Sequence, residues 1–231
     1  MNPAADAMKR DELTANIESS ATRILLIRHG ETDWNRMGRF QGRSDLLLNQ
    51  QGRNQARALA LALKDEFITA IYTSPLLRAV ETARAIGVFH PSAPVIEEKG
   101  LVEMDLGEFE GMEGHRWAAE YSDFRKAWQA NPASVTMPGG ESLREVQTRA
   151  VATLGRITRL YPPESTLLLC SHNFINLTLL CCALKVPLER FRELRQGTAA
   201  INVLYLQGGR LWATVVNERS HLEKYCPNRN Q

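Results

Sequence analysis

Short, nearly continuous apolar runs punctuate this chain, separated by longer stretches in which apolar residues recur every three or four positions. The first run, Ile24-Leu25-Leu26-Ile27, reads as a strand buried on both faces. The period then changes: Ala56, Leu59, Ala60 and Leu63 share one face of a helix predicted over residues 50–66, with Asn49 as its N-cap. Residues 68–73 form a second buried run. Ser74 and Pro75 suit the cap and first turn of a following helix, which places Arg78 about one turn inside it. A short strand over 94–97 precedes a loop, 100–111, in which acids alternate with apolar residues and glycines. Over 112–131 the pattern is helical, and Trp117, Tyr121, Phe124 and Trp128 form an aromatic stripe suited to packing. Glu141 or Ser142 opens a long helix to about residue 160, stopped by Pro162-Pro163. Residues 166–170 are a further buried strand, followed by an apolar helix over 174–184 with Asn173 as its predicted N-cap. After a short helix over 187–194, a hairpin turns at Gly208-Gly209.

Strands alternating with helices make parallel sheets. The expected fold is therefore α/β: a three-layer sandwich with a mostly parallel central sheet, helices on both faces, and a helical cap over the strand carboxyl ends. One domain is expected over 21–219, with the cap at about 104–140, a disordered tail over 1–20 and a second, mobile tail over 220–231.

Composition narrows this picture little. Hydrophobic content of 44% and charged content of 23% are ordinary for a globular protein, and a formal charge of +2 implies neither nucleic acid nor a membrane surface. The distribution of charge is more telling. From Arg23 to Arg57 there are seven arginines and no lysine against three acids, a segment suited to an anionic ligand. It offers no basic reading helix or aromatic platform, so no nucleic-acid partner is expected. No apolar run is long enough to span a membrane, and no membrane partner is expected. Residues 1–20 lack the apolar core of a secretory signal, and the four cysteines show no metal spacing. A cytoplasmic protein follows from these readings, with oligomeric state open between monomer and homodimer.

The chemistry sits at the strand ends. Arg28-His29-Gly30 leaves the first buried run, and Ser171-His172-Asn173 leaves a later one. A histidine whose other ring nitrogen is held can attack phosphorus, and a guanidinium fork matches phosphoryl oxygens. Gly30 would let the backbone turn close to an anion. Arg78 enters from a third strand end, with an Arg78–Glu81 pair on a solvated helix face as its bland alternative. Glu103, Asp105, Glu108 and Glu110 are rival carboxyl groups on the loop between them.

Taken together, these motifs resemble the histidine phosphatase superfamily, also called the phosphoglycerate mutase-like family. Arg28-His29-Gly30-Glu31-Thr32 with Trp34-Asn35 is similar to its opening signature, and Arg39 with Gln41-Gly42 to the continuation. Ser74 to Ala79 with Thr82-Ala83, Leu106 to Gly111, and Ser171-His172 resemble the later ones, in the family's order from about Arg23 to Asn217. The resemblance implies that His29 is a nucleophile forming a phosphohistidine. Arg28, Arg78 and His172 would hold the phosphoryl oxygens, and Glu103 would be the general acid. Asn35, Gln41 and Gly42 would line the substrate side, with no metal and no cofactor. Asn173 is a departure, since many relatives have glycine there, and an amide reaching the substrate is one reading of it. The implied activity is hydrolysis of a small phosphomonoester. A mutase that returns the phosphoryl group is the alternative, disfavoured because the interval from Glu103 to His172 carries no long basic insertion. A protein that only binds phosphate would need neither nucleophile nor acid.

Overall fold

In the computed structural model, residues 20–225 are described; the tail expected over 1–20 lies outside them as far as residue 19. β1 (Thr22–Arg28), β2 (Ala70–Thr73), β3 (Val95–Glu97), β4 (Thr166–Ser171), β5 (Ile201–Gln207) and β6 (Arg210–Glu218) form one sheet in the order β3-β2-β4-β1-β5-β6. The pairings β3-β2, β2-β4 and β4-β1 are parallel, while the hairpin strands β5 and β6 add an antiparallel side next to β1.

The long apolar runs of β1 and β4 are explained by burial on both faces. Ile24, Leu26, Leu167 and Leu169 point into one core, Leu25, Ile27, Leu168 and Cys170 into the other, as the two-residue period of a strand requires. Helices α2 (Gln50–Leu63), α3 (Leu77–Gly87) and α8 (Ser220–Tyr225) cover the second core, and α6 (Leu143–Thr158) and α7 (Asn173–Leu184) the first. A four-residue turn of helix, α1 (Asp33–Arg36), follows β1. Over the first core, α4 (Gly114–Glu120) and α5 (Ser122–Ala130) form the cap, where Phe109 meets Trp117, Tyr121 and Phe124 edge to face at 4.8–6.1 Å between centroids.

Several boundaries differ from the sequence reading. The aromatic stripe is carried by two helices, because Tyr121 leaves helical dihedrals (φ −120°, ψ 45°) where its ring packs on Phe109. Ser74 does not cap α3: its hydroxyl accepts the Leu76 N–H in a local turn, and the helix starts at Leu77. Arg78 is therefore the second helical residue. Asn173 is not the cap of α7 but its first residue, since β4 runs on to Ser171 and His172 takes the extended cap conformation. The expected tail is structured over 220–225, where α8 buries His221 and Leu222 against the second core. Asn49 caps α2 as expected, and of the two residues read as opening α6 it is Ser142 that caps it, in a reciprocal capping box with Glu145.

Candidate active site

Register brings the two histidines together. Arg28 pairs with Ser171 as β1 and β4 run parallel, so the next residue on each strand, His29 and His172, emerges at the same carboxyl edge. Their ring centroids lie 5.0 Å apart, and both residues are buried. The His29 main-chain N–H donates to the Ser171 carbonyl at 3.0 Å, fixing the pair. His29 Nδ1 lies 2.6 Å from the Gly30 carbonyl, which assigns the proton to Nδ1 and the lone pair to Nε2. Arg78 Nε is 3.3 Å from that Nε2. Both imidazoles are held well below the ordinary histidine pKa, by desolvation first and by neighbouring arginines, Arg78 foremost, second. Neutral His29 thus carries on Nε2 a lone pair able to attack phosphorus.

Arg78 is fully buried without a carboxylate of its own. Its Nη1 and Nη2 donate to the carbonyls of Ser44 and Gly42, both at 2.7 Å, so the guanidinium fork is locked in place. With the Gln41 amide turned to satisfy its neighbours, its oxygen accepts from Arg78 Nε at 2.9 Å and its nitrogen donates to Thr32 Oγ1 at 2.6 Å. Glu81 accepts the Leu48 N–H instead of pairing with Arg78, which removes the bland reading of that arginine. Arg28 donates to the Gln196 carbonyl through Nη1. Desolvation lowers Arg28 and Arg78 to about 10, so both stay charged at neutral pH. Arg28 Nε and both ring nitrogens of His172, the ring beside His29, are buried with no hydrogen-bond partner within the protein.

Among the four rival carboxyl groups, burial separates Glu103 from the rest. Glu103 is buried and its Oε1 accepts the Met104 N–H at 2.9 Å, while the Phe174 N–H at the start of α7 reaches both oxygens at 3.1 and 3.2 Å. This long-range carboxylate takes the place of the cap expected from Asn173. Desolvation pushes Glu103 above the usual carboxyl range despite those bonds and the two arginines. Asp105 is engaged by Arg43 at 3.0 Å, and Glu108 is exposed. Glu110 turns inward and accepts the N–H groups of Gly42, Arg43 and Ser44 at 2.9–3.1 Å.

The remaining predicted residues support the site more than they line it. Gly42 is required by space, because a Cβ there would sit 2.5 Å from Glu110 Oε2 and 2.6 Å from the Met104 carbonyl. Gly30 is required for a reason other than an anion: a Cβ would lie 2.5 Å from the Gly52 carbonyl of α2. Asn35 closes a capping box with Thr32, and Asn173 is half-buried at the start of α7; neither is bonded to the histidines or arginines. Sequence reasoning missed Arg149, which donates to the carbonyls of Gly100 and Val102 at 3.0 and 2.7 Å and so holds the segment leading to Glu103. It also missed Arg219, whose charge further lowers Arg28, and the paired amides of Gln196 and Asn202 beneath Arg28. None of these carries a periodic or motif signal. Among the described residues no three His, Cys, Asp or Glu cluster as a metal site, and no helix is long and apolar enough to cross a membrane.

A family model described as the histidine phosphatase superfamily (branch 1) matches residues 24–219. The chain belongs to this superfamily. Phosphoserine phosphatase 1 of Hydrogenobacter thermophilus is 30% identical over 203 residues, covering 88% of this chain and 95% of its own. Among solved structures, Bacillus stearothermophilus YhfR superposes with a TM-score of 0.82 at 28% identity, covering 88% of this chain and all of that one. A mycobacterial glucosyl-3-phosphoglycerate phosphatase complexed with VO3 gives 0.77 at 29% identity, covering 86% of this chain and 100% of the other. This histidine phosphatase is thus a phosphomonoesterase with the mostly parallel α/β sheet of its superfamily.

Proposed function

We propose that this histidine phosphatase hydrolyses a small phosphomonoester without a metal, through a phosphohistidine at His29 Nε2. The observation that carries the reading is the neutral His29, with Nδ1 on the Gly30 carbonyl and Nε2 facing Arg78, 5.0 Å from a second, unpartnered imidazole. A phosphoryl group seated against Nε2 would meet the Arg78 guanidinium, Arg28 Nε and His172. These groups are fixed in advance where charge spreads in a loose transition state.

In the first step the Nε2–P bond forms and the P–O ester bond breaks, and the protonated Glu103 carboxyl gives its proton to the departing alkoxide. In the second, water attacks phosphorus, the ionised Glu103 takes the water's proton, and the N–P bond breaks to release phosphate. Burial suits Glu103 to both steps by keeping its pKa high. The single domain over 21–219, with its cap at about 104–140, is the unit to which we assign the activity. The free thiols of Cys170, Cys181 and Cys182 support a reducing, cytoplasmic setting.

The experiment is phosphate release from a panel of monoesters in excess chelator, for wild type and His29→Ala. Release by wild type alone supports the reading. Isomerisation of 3-phosphoglycerate without net release would replace it by the mutase, an activity named in 2,3-bisphosphoglycerate-dependent phosphoglycerate mutase 2 of Gloeobacter violaceus, 33% identical over 135 residues.

A further inference from the structure

A mostly apolar cavity of about 190 Å³ is lined by Phe40, Leu106, Phe109, Trp117, Met137 and Phe174 among others. Three of its lining residues are tied to the site. Phe40 precedes Gln41, whose amide faces Arg78. Leu106 lies so near Gly42 that a Cβ on that glycine would sit 3.0 Å from Leu106 Cγ, and the Gly42 carbonyl holds Arg78. Phe174 gives its main-chain N–H to both oxygens of Glu103. The cavity wall therefore includes the residue whose main-chain N–H holds Glu103, the group assigned to protonate the leaving oxygen.

Its chemistry is selective. None of the lining residues is acidic. The one cation among them, Arg192, is engaged: Nη2 donates to the Trp128 carbonyl at 2.8 Å and Cζ lies 5.3 Å from the Trp128 ring centroid. An amino-acid ester would find no carboxylate for its ammonium, and a hydroxylated one would find only the Gln129 amide, the unpartnered Trp117 Nε1–H and Arg192 to replace lost water. Trp117 is braced edge-on by Phe40 and Phe109 at 5.4 and 6.1 Å, so the wall is a set of packed aromatic faces. An apolar protein cavity of about 150 Å³ holds benzene, which sets the scale of the group that fits here.

We propose that the leaving-group half of the substrate is an apolar ring or branched chain of about benzene size, seated in this cavity while the phosphoryl group sits on His29. The inference rests on the phosphatase reading above and narrows its substrate class. The test compares kcat/KM for benzyl phosphate, ethyl phosphate and phosphoserine, all primary alkyl esters whose leaving groups differ little in the bond that breaks. The full chain is used, as wild type and as Met137→Phe, which narrows the cavity from a residue outside the catalytic set. Benzyl phosphate is expected to exceed both others by about tenfold or more in wild type, the scale on which apolar pockets discriminate. Met137→Phe should cut that advantage at least about fivefold while ethyl phosphate stays within about twofold.

Equal rates for the three esters in wild type, or preference for phosphoserine, would overturn the proposal and leave the phosphatase reading intact. Hydrolysis of none of them would overturn both. If Met137→Phe lowers ethyl and benzyl phosphate alike, the reciprocal variant Trp117→Ala decides. Enlarging the cavity should raise the ratio of 2-naphthylmethyl to benzyl phosphate, and an unchanged ratio would refute the assignment.

Discussion

Replacing Glu110 by glutamine removes the charge that organises the loop behind Arg78, at almost no change in shape. In the native loop one carboxylate oxygen accepts Gly42 and Ser44 N–H groups at 2.9 and 3.0 Å, and the other accepts Gly42 and Arg43, both at 3.1 Å. An amide has one acceptor oxygen. Whichever way it turns, it keeps two of these donors, strips either Arg43 or Ser44, and sets its own NH2 against a main-chain N–H. A hydrogen bond to a charged acceptor contributes about 1.5–3 kcal/mol, so the loop loses roughly 2–3 kcal/mol of placement energy. That loop supplies the carbonyls of Gly42 and Ser44 that lock the Arg78 guanidinium. If most of the loss reaches the transition state, kcat/KM falls roughly 10- to 100-fold. The assay is steady-state phosphate release beside a urea melt, with Glu108→Gln as control because Glu108 is exposed on the same loop. A Glu110→Gln enzyme within about twofold of wild type would refute the claim that this carboxylate sets Arg78.

Glu103→Gln should lower kcat for alkyl esters by about 10²–10³ yet cost a nitrophenyl ester far less, since a good leaving group needs little protonation; equal losses on both would remove Glu103 as the acid. The pH dependence has a definite sign. With His29 lowered and Glu103 raised, kcat/KM should fall on the acid side as His29 protonates and on the alkaline side as Glu103 ionises, and a rate still rising above pH 8 would contradict the pair. Because the folded-state pKa of Glu103 is above its unfolded value, wild type loses stability as pH rises through that raised pKa. Glu103→Gln escapes this loss, so its stability advantage should grow from pH 4.5 to pH 8 in urea melts. Asn202→Ala removes its bonds to the Gln196 amide, the Asn217 N–H and the Leu26 carbonyl, all at 2.8–2.9 Å, and should cost about 2–4 kcal/mol of stability and weaken inhibition by phosphate through Arg28; unchanged phosphate inhibition would show that the amide pair does not position that arginine.

Much of the site was legible because its parts lie where local sequence rules are strong. Apolar runs that end in Arg-His and Ser-His predict two imidazoles at strand exits, and parallel pairing of Arg28 with Ser171 is all that is needed to bring them to 5.0 Å. Asn49 was readable as a cap because its own side chain does the capping within a few residues. Asn173 was misread for the complementary reason. The donor at the start of α7 is met by Glu103, far away in sequence, and no local pattern reports a partner of that kind. The same holds for Glu110, which sequence could place only among four candidate acids; burial and main-chain partners, both tertiary facts, gave it a different task from Glu103. Polar composition suggested a mobile tail after residue 219, whereas buried His221 and Leu222, with Tyr225 packed beside them, seat a short helix on the second core.

The central claim is a covalent phosphohistidine on His29, and trapping it tests that claim most directly. The enzyme would be mixed with ³²P-labelled benzyl phosphate in excess chelator, quenched in alkali within milliseconds, and the label mapped by peptide mass spectrometry. A phosphohistidine on His29 requires an alkali-stable, acid-labile label on the peptide containing His29, formed no more slowly than turnover and absent from His29→Asn. Phosphate release by wild type with no labelled protein at any quench time, or a turnover-competent label on another residue, would contradict it.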